Sequence, residues 1–121
     1  MDEEAVLAFV RGSIKSAWAL ELLVLLRRDP QQGWTRDRLV RELRGSPQLV
    51  DEAQASLALA GLAELTETGV RYRPQSAEAA QCVDALVALY GDKPITVLRT
   101  IFTSPSDKIR SFADAFLFQK K

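Results

Sequence analysis

The tetrapeptide Arg44-Gly45-Ser46-Pro47 restricts the fold of this chain more than any other feature of the sequence. Glycine is favoured just after the end of a helix, and serine is favoured as the N-cap, where its hydroxyl accepts from an unpaired backbone N–H. Proline suits the first helical position, because its missing N–H would have no partner there. The sequence therefore predicts one helix that ends at Gly45 and a second that begins at Pro47, with a short turn between them.

The segments on both sides of this turn have the apolar spacing of helices. Thr35 is a good N-cap for the first helix, and the second is expected to end near Gly61. The residues expected to face inward are Leu39, Val40 and Leu43 in the first helix and Leu49 or Val50, Ala53, Leu57, Ala60 and Leu62 at the second. The period then changes, and two short stretches around Glu67-Thr68-Gly69 predict a β-hairpin with a tight turn.

Further helices are predicted before this central part. A short apolar lead-in covers residues 2–10, and Ser13 is expected to cap a longer helix that is apolar nearly all round. Pro30 cannot continue that helix, and the residues from Gln31 to Trp34 are expected to form a turn. The longer helix should be the most buried one of the fold.

The last third of the sequence is also predicted to be helical, with helices beginning at Ser76, at Pro94 and at Ser104-Pro105. The expected fold class is α+β and mostly α. We expect residues 1–74 to form the main unit and residues 75–121 to form a helical extension packed on the same domain. A chain of 121 residues is long enough for one core without metal or disulfide support.

The central segment resembles a family pattern. The run from Trp34 to Pro47 is similar to the thr-x-x-x-leu-x-x-x-leu-x-x-ser run of bacterial winged helix-turn-helix regulators, broadly of the MarR and ArsR types. Leu57-Ala58-Leu59-Ala60-Gly61-Leu62, followed by Gly69-Val70-Arg71-Tyr72, resembles their exit into the hairpin "wing". The resemblance covers residues 13–74 and implies a winged-helix core that binds DNA as a homodimer. Any small helical bundle with a β-hairpin is the alternative fold.

Duplex DNA is the partner that this resemblance implies, and we expect contact through the third helix and the wing. Arginines would hold the phosphate backbone, Ser46 and the helix N-terminus would hold one phosphate, and glutamine or serine would read base edges. The candidate DNA-binding residues are Arg36, Arg38, Arg41, Arg44, Ser46, Gln48, Gln54, Ser56, Arg71 and Arg73.

The charges of the third helix favour a different partner. No Lys or Arg occurs from Ser46 to Leu65, whereas Asp51, Glu52 and Glu64 do. The alternative function is therefore a winged-helix module that docks on a protein through this acidic helix and does not bind DNA. On that interpretation the arginines from 36 to 44 form a solvated surface, partly paired with the neighbouring Asp37 and Glu42.

The terminal segment carries more apolar side chains than one helix face can bury. The expected dimer or partner contacts are Phe112, Phe116, Leu117 and Phe118. A second copy of the chain is the simplest partner, since an exposed apolar patch of that size is unusual in a monomer. The alternative is that the segment wraps its own domain.

Composition excludes several classes of function. The chain has no histidine and a single cysteine, Cys82, so we expect no catalytic triad, no metal site, no cofactor and no disulfide. With no nucleophile–base set or phosphate loop, an enzyme is not expected. The acidic start and the short apolar runs predict a cytoplasmic protein without a membrane span. A net charge of zero is unusual for a free-standing nucleic-acid binder.

Overall fold

The computed structural model describes residues 1–103. Its helices are α1 (Glu3–Ser13), α2 (Ala17–Arg28), α3 (Arg36–Leu43), α4 (Pro47–Leu59), α5 (Ala77–Asp92) and α6 (Pro94–Thr103), and its strands are β1 (Trp34–Thr35), β2 (Ala63–Leu65) and β3 (Gly69–Tyr72). The described chain is thus α+β and mostly helical, as expected. None of its helices is both long enough and apolar enough to cross a membrane.

Helix α2 lies at the centre of the core, as its sequence predicts. Six of its side chains are buried, and four leucines among them are fully inaccessible: Leu20, Leu22, Leu23 and Leu26. Helix α4 packs against it with Val50, Ala53 and Leu57. A helix that is apolar nearly all round can be stable only inside such a core.

The predicted start of α2 is wrong. Ser13 is the last residue of α1, and the side chain of Ser16 caps α2 by accepting from the backbone N–H of Ala19 at 3.0 Å. Helix α1 runs past Val10 because Ile14, its C-cap residue, is buried and its amide still donates to the Val10 carbonyl at 2.9 Å. The lead-in is therefore a full helix that reaches the core.

The three strands form one antiparallel sheet in the order β1-β3-β2. The predicted hairpin is confirmed as β2 and β3, and Thr66 closes its turn by donating its amide to the Gly69 carbonyl at 2.8 Å. The predicted turn from Gln31 to Trp34 is wrong at its end, because Trp34 pairs with Val70 in β1. A side chain at Gly69 would overlap the Trp34 carbonyl oxygen, so glycine permits this close pairing.

Helices α5 and α6 pack on α1 and on each other. Ser76 caps α5 by accepting from Ala79 N–H at 3.0 Å, and Pro94 begins α6, both as predicted. Side chains of both helices join the same core as α1 and α2. The third helix predicted in this part, from Ser104, lies outside the described residues, as do the expected contact residues Phe112, Phe116, Leu117 and Phe118.

Candidate nucleic-acid interface

Helices α3 and α4 meet at the turn from Arg44 to Ser46. Ser46 caps α4 by accepting from Leu49 N–H at 3.2 Å, as predicted. The residue with left-handed backbone is Arg44, at φ 56° and ψ 32°, and not Gly45. Gly45 instead lies against the ring of Trp18, where a Cβ atom would come within 3.0 Å of Trp18 Cζ3. The glycine therefore leaves room for the Trp18 ring of α2, against which a Cβ atom would be tight, while the arginine makes the turn.

The outward side of α4 starts polar and ends apolar. Its exposed residues are Pro47, Gln48, Asp51, Glu52, Ala55 and Leu59. Gln48 lies 3.5 Å from Glu52 through its amide nitrogen, which is a long contact for a hydrogen bond. The exposed part of this helix thus offers one glutamine and two carboxylates before it reaches Leu59, which is 92% exposed.

Two of the three candidate base-reading residues do not reach this outward side. Gln54 is buried, with 7% of its surface exposed, because it lies four residues after Val50 and three before Leu57 on the inward face. Ser56 is half-buried, and its hydroxyl oxygen is inaccessible without a hydrogen-bond partner among the described residues. Gln48 is the one that stays exposed. The burial of Gln54 could have been predicted from the sequence, because a residue four positions after the inward-facing Val50 lies on the same face of a helix.

Arg36 of α3 pairs with Asp51 of α4. Its Nε and Nη2 atoms donate to the two carboxylate oxygens at 2.8 and 2.9 Å, and both side chains are half exposed. These hydrogen bonds lower the pKa of Asp51 and raise that of Arg36. The sequence suggested Asp37 and Glu42 as the arginine partners, but the bidentate pair joins neighbouring helices instead. Such a contact depends on the packing of α3 on α4 and has no local signal in the sequence.

Glu64 of β2 pairs with two arginines: Arg71 of β3, and Arg73, which directly follows this strand. Its Oε2 atom accepts from Arg71 at 3.0 Å and from Arg73 at 3.3 Å. The Arg71 hydrogen bond lowers the pKa of Glu64. Glu64 and Arg71 are direct cross-strand partners. The sequence predicts this register to within one residue, since a turn centred on Thr68 would pair Glu64 with Tyr72 instead of Arg71.

The remaining arginines of α3 and its turn have other surroundings. Arg38 lies over the ring of Trp34, with its guanidinium carbon 4.5 Å from the ring centroid, and so forms a cation–π contact. Arg41 and Arg44 are exposed, and no carboxylate within residues 1–103 forms an ion pair with either. Like Arg38, Arg41 and Arg44 are therefore without an ion-pair partner among the described residues.

We call the exposed surface of residues 36–74 the α3–α4–hairpin face. Its sequence holds six arginines and six carboxylates, so its formal charge is zero. Three of the arginines are held by Asp51 or Glu64. The positive charge is thus broken into patches, the clearest of which is at Arg41 and Arg44. The described residues contain no group of three or more carboxylate, cysteine or histidine side chains that could hold a metal ion.

Comparison of the chain with family models, with curated proteins and with solved structures finds no match to any of them.

Proposed function

We propose that this chain is a winged helix-turn-helix protein that binds duplex DNA through α4 and the β2–β3 hairpin. The order of α2, β1, α3, α4, β2 and β3, with β1 joining the sheet beside β3, supports the winged-helix assignment. In this arrangement α3 braces α4, and the hairpin flanks it as the wing. A cytoplasmic location and the absence of catalytic activity are part of the same proposal.

The observation that carries the DNA-binding proposal is the position of Arg41 and Arg44. Both are exposed and unpaired among the described residues, and Arg44 directly precedes the turn into Ser46 and the first amides of α4. A helix N-terminus has unpaired N–H groups and a partial positive charge, which favour a phosphate. Two arginines beside that end would let α4 approach a DNA backbone.

The other arginines of the face can join this contact. Arg36, Arg71 and Arg73 are in exposed ion pairs, which water screens and which contribute little to stability. A DNA phosphate is an equally good partner for a guanidinium group. With Gln48 as the one exposed candidate for base contacts, binding should depend mainly on the backbone and discriminate weakly between sequences.

Fluorescence anisotropy with a labelled duplex tests this proposal. Wild-type protein should bind at low salt and lose affinity steeply between about 50 and 200 mM salt. Arg41→Gln with Arg44→Gln should weaken binding and reduce the slope of log Kobs against log salt by about 2. Arg99→Gln, an exposed change on α6, is the control and should leave both unchanged. If the folded protein binds no duplex even at low salt, the DNA-binding proposal is refuted.

A second candidate function is docking on a protein through α4. Leu59 is 92% exposed at the end of this helix, Ala55 precedes it by one turn, and Asp51 and Glu52 make the same side acidic. An apolar side chain with a carboxylate border suits a basic or amphipathic protein surface better than a phosphate backbone. Absence of duplex binding together with reduced partner binding by Leu59→Ser would favour this function.

The homodimer remains a proposal that the α6 surface supports. Ile95 and Phe102 are both exposed on this helix, and the apolar segment with Phe112 and Phe116 follows it in the sequence. Light scattering should return twice the chain mass of 13.4 kDa. A mass near 13.4 kDa at micromolar concentration would contradict the dimer.

A further inference from the structure

We infer that Asp51 and Glu64 compete with DNA phosphates for Arg36, Arg71 and Arg73, and so keep the affinity of the α3–α4–hairpin face for non-specific polyanions low. The two carboxylates can act in this way only if the face binds DNA, so this role rests on the proposed function. Asp51 and Glu64 would then determine how tightly, and at which salt concentrations, the α3–α4–hairpin face holds the DNA backbone.

The Arg36–Asp51 pair occupies one of the two edges through which the guanidinium can form two parallel bonds to a phosphate. Nε and Nη2 both donate to the carboxylate, at 2.8 and 2.9 Å, which is the parallel two-bond geometry that arginine also forms with phosphate. While Asp51 is seated there, a phosphate cannot form the same two bonds. Asp51 also lies on the exposed side of α4, where its own charge repels an approaching backbone.

Glu64 has the same effect on the hairpin through a different geometry. One oxygen atom, Oε2, accepts from both Arg71 and Arg73 and therefore lies between two guanidinium groups. A phosphate oxygen bound by both arginines would need this position. A single carboxylate thus withholds two of the six candidate backbone contacts from DNA.

The exposure of these pairs makes exchange possible. All five side chains are well exposed, between 42% and 64%, so water can separate each pair without opening the core. Exposed pairs are also screened by salt. The carboxylates therefore act as weak competitors that a well-placed phosphate backbone displaces, and not as permanent blocks.

The test removes each carboxylate charge while keeping its shape. Asp51→Asn and Glu64→Gln should each raise duplex affinity about five- to tenfold near 0.1 M salt. The salt slope should steepen by about 1 for Asp51→Asn, which frees one arginine, and by up to about 2 for Glu64→Gln, which frees two. Glu3→Gln is the matched control. Glu3 is an exposed carboxylate of α1 that pairs at 2.9 Å with Lys93, the residue that follows α5. This substitution changes the net charge equally and should leave affinity unchanged. Circular dichroism spectra check that every variant is folded.

A second measurement addresses the arginine itself. Arg36→Gln should weaken duplex binding more in the Asp51→Asn background than in wild type, because the freed guanidinium then holds a phosphate.

The outcomes separate this inference from the proposed function. Tighter binding by both variants than by wild type, with Glu3→Gln unchanged, supports the competition. Wild-type binding that neither Asp51→Asn nor Glu64→Gln strengthens overturns the inference and leaves the DNA proposal standing. Equal strengthening by Glu3→Gln also overturns it, since net charge alone would then explain the effect. No binding by wild type or any variant refutes both.

Discussion

The α3–α4–hairpin face and the surface of α5 use polar contacts in different ways. Asp84 and Tyr90 of α5, and Lys93 directly after it, bond to residues of α1 and α2 that lie 57 to 90 positions away in the sequence. On the α3–α4–hairpin face, the bonded partners are only 7 to 15 positions apart. The first set joins distant parts of the chain, whereas the second set joins neighbours.

This difference indicates what each set contributes. The contacts of α5 reinforce a junction between the end of the described chain and its beginning, where Val83 and Leu86 are buried in the core. The pairs of the α3–α4–hairpin face add little of this kind, since α3 and α4 are adjacent in sequence and β2 and β3 form a hairpin. Their main effect is to neutralise a surface. Neutralised but exposed arginines are therefore the part of the molecule that a charged partner can rearrange.

The largest expected effect distinguishes the two sides of α4 itself. Leu57 is fully buried against α2, so Leu57→Ala should cost about 2–5 kcal/mol of unfolding free energy, through lost burial and a residual cavity. Leu59→Ala is the matched control, because it is the same substitution in the same helix at a position that is 92% exposed. It should change stability by no more than about 0.5 kcal/mol. Urea unfolding followed by circular dichroism measures both.

A large cost for Leu59→Ala would break the comparison. It would mean that Leu59 is covered in solution, and the surface that ends α4 would have to be treated as an interface already occupied.

The second prediction concerns the contact between α5 and α2. Tyr90 donates its hydroxyl to Glu21 Oε1 at 2.6 Å, and this hydrogen bond is the main reason that the pKa of Tyr90 is raised to about 12. Because the folded pKa lies above the ordinary value of 10.0, this contribution to stability is present below pH 10 and is lost as the pH rises towards 12. Ultraviolet titration of a Tyr72→Phe variant isolates Tyr90.

Glu21→Gln in the same background is the control for this titration. It removes the carboxylate that disfavours the phenolate and should return the Tyr90 pKa towards 10.0. If Tyr90 titrates near 10 in the folded protein with Glu21 intact, the bond that joins α5 to α2 is not formed in solution.

The sequence was most informative where structure depends on neighbouring residues. The caps at Ser46 and Ser76, the hairpin turn and the burial of α2 all follow from local patterns, and all are present. Strand β1 was missed because two residues are too short to carry a period, and Trp34 is placed by pairing with Val70.

The candidate site was predicted less well, for the same physical reason. Helix α3 packs on α4, and α4 packs on β2, but charge alone does not specify which side chains pair. Asp51 of α4 bonds to Arg36 of the neighbouring helix α3. The two residues are 15 positions apart in the sequence, a spacing that no helical or strand period predicts. The amide of Gln54 has the chemistry of a base-reading group, but its spacing from Val50 and Leu57 places it inside.

The third prediction concerns the first turn of α2, the helix at the centre of the core. Ser16→Ala removes the hydroxyl that accepts from Ala19 N–H and should cost about 1 kcal/mol. Ser13→Ala is the control, because Ser13 lies in the last turn of α1 and does not cap α2. It should change stability by less than about 0.5 kcal/mol. The reverse order of the two costs, measured by urea unfolding, would place the start of α2 at Ser13.

The smallest expected effect is the one that tests the comparison most directly. A double-mutant cycle with Arg36→Gln and Asp51→Asn should give only a small favourable coupling at neutral pH, because both groups are exposed. Since pairing lowers the pKa of Asp51 below its ordinary 3.8, the coupling should be present above pH 4 and vanish as the pH falls through the lowered value. It should also weaken with added salt. A large coupling that resists salt would make the pair structural, and Asp51 would then be too firmly held to exchange with a phosphate.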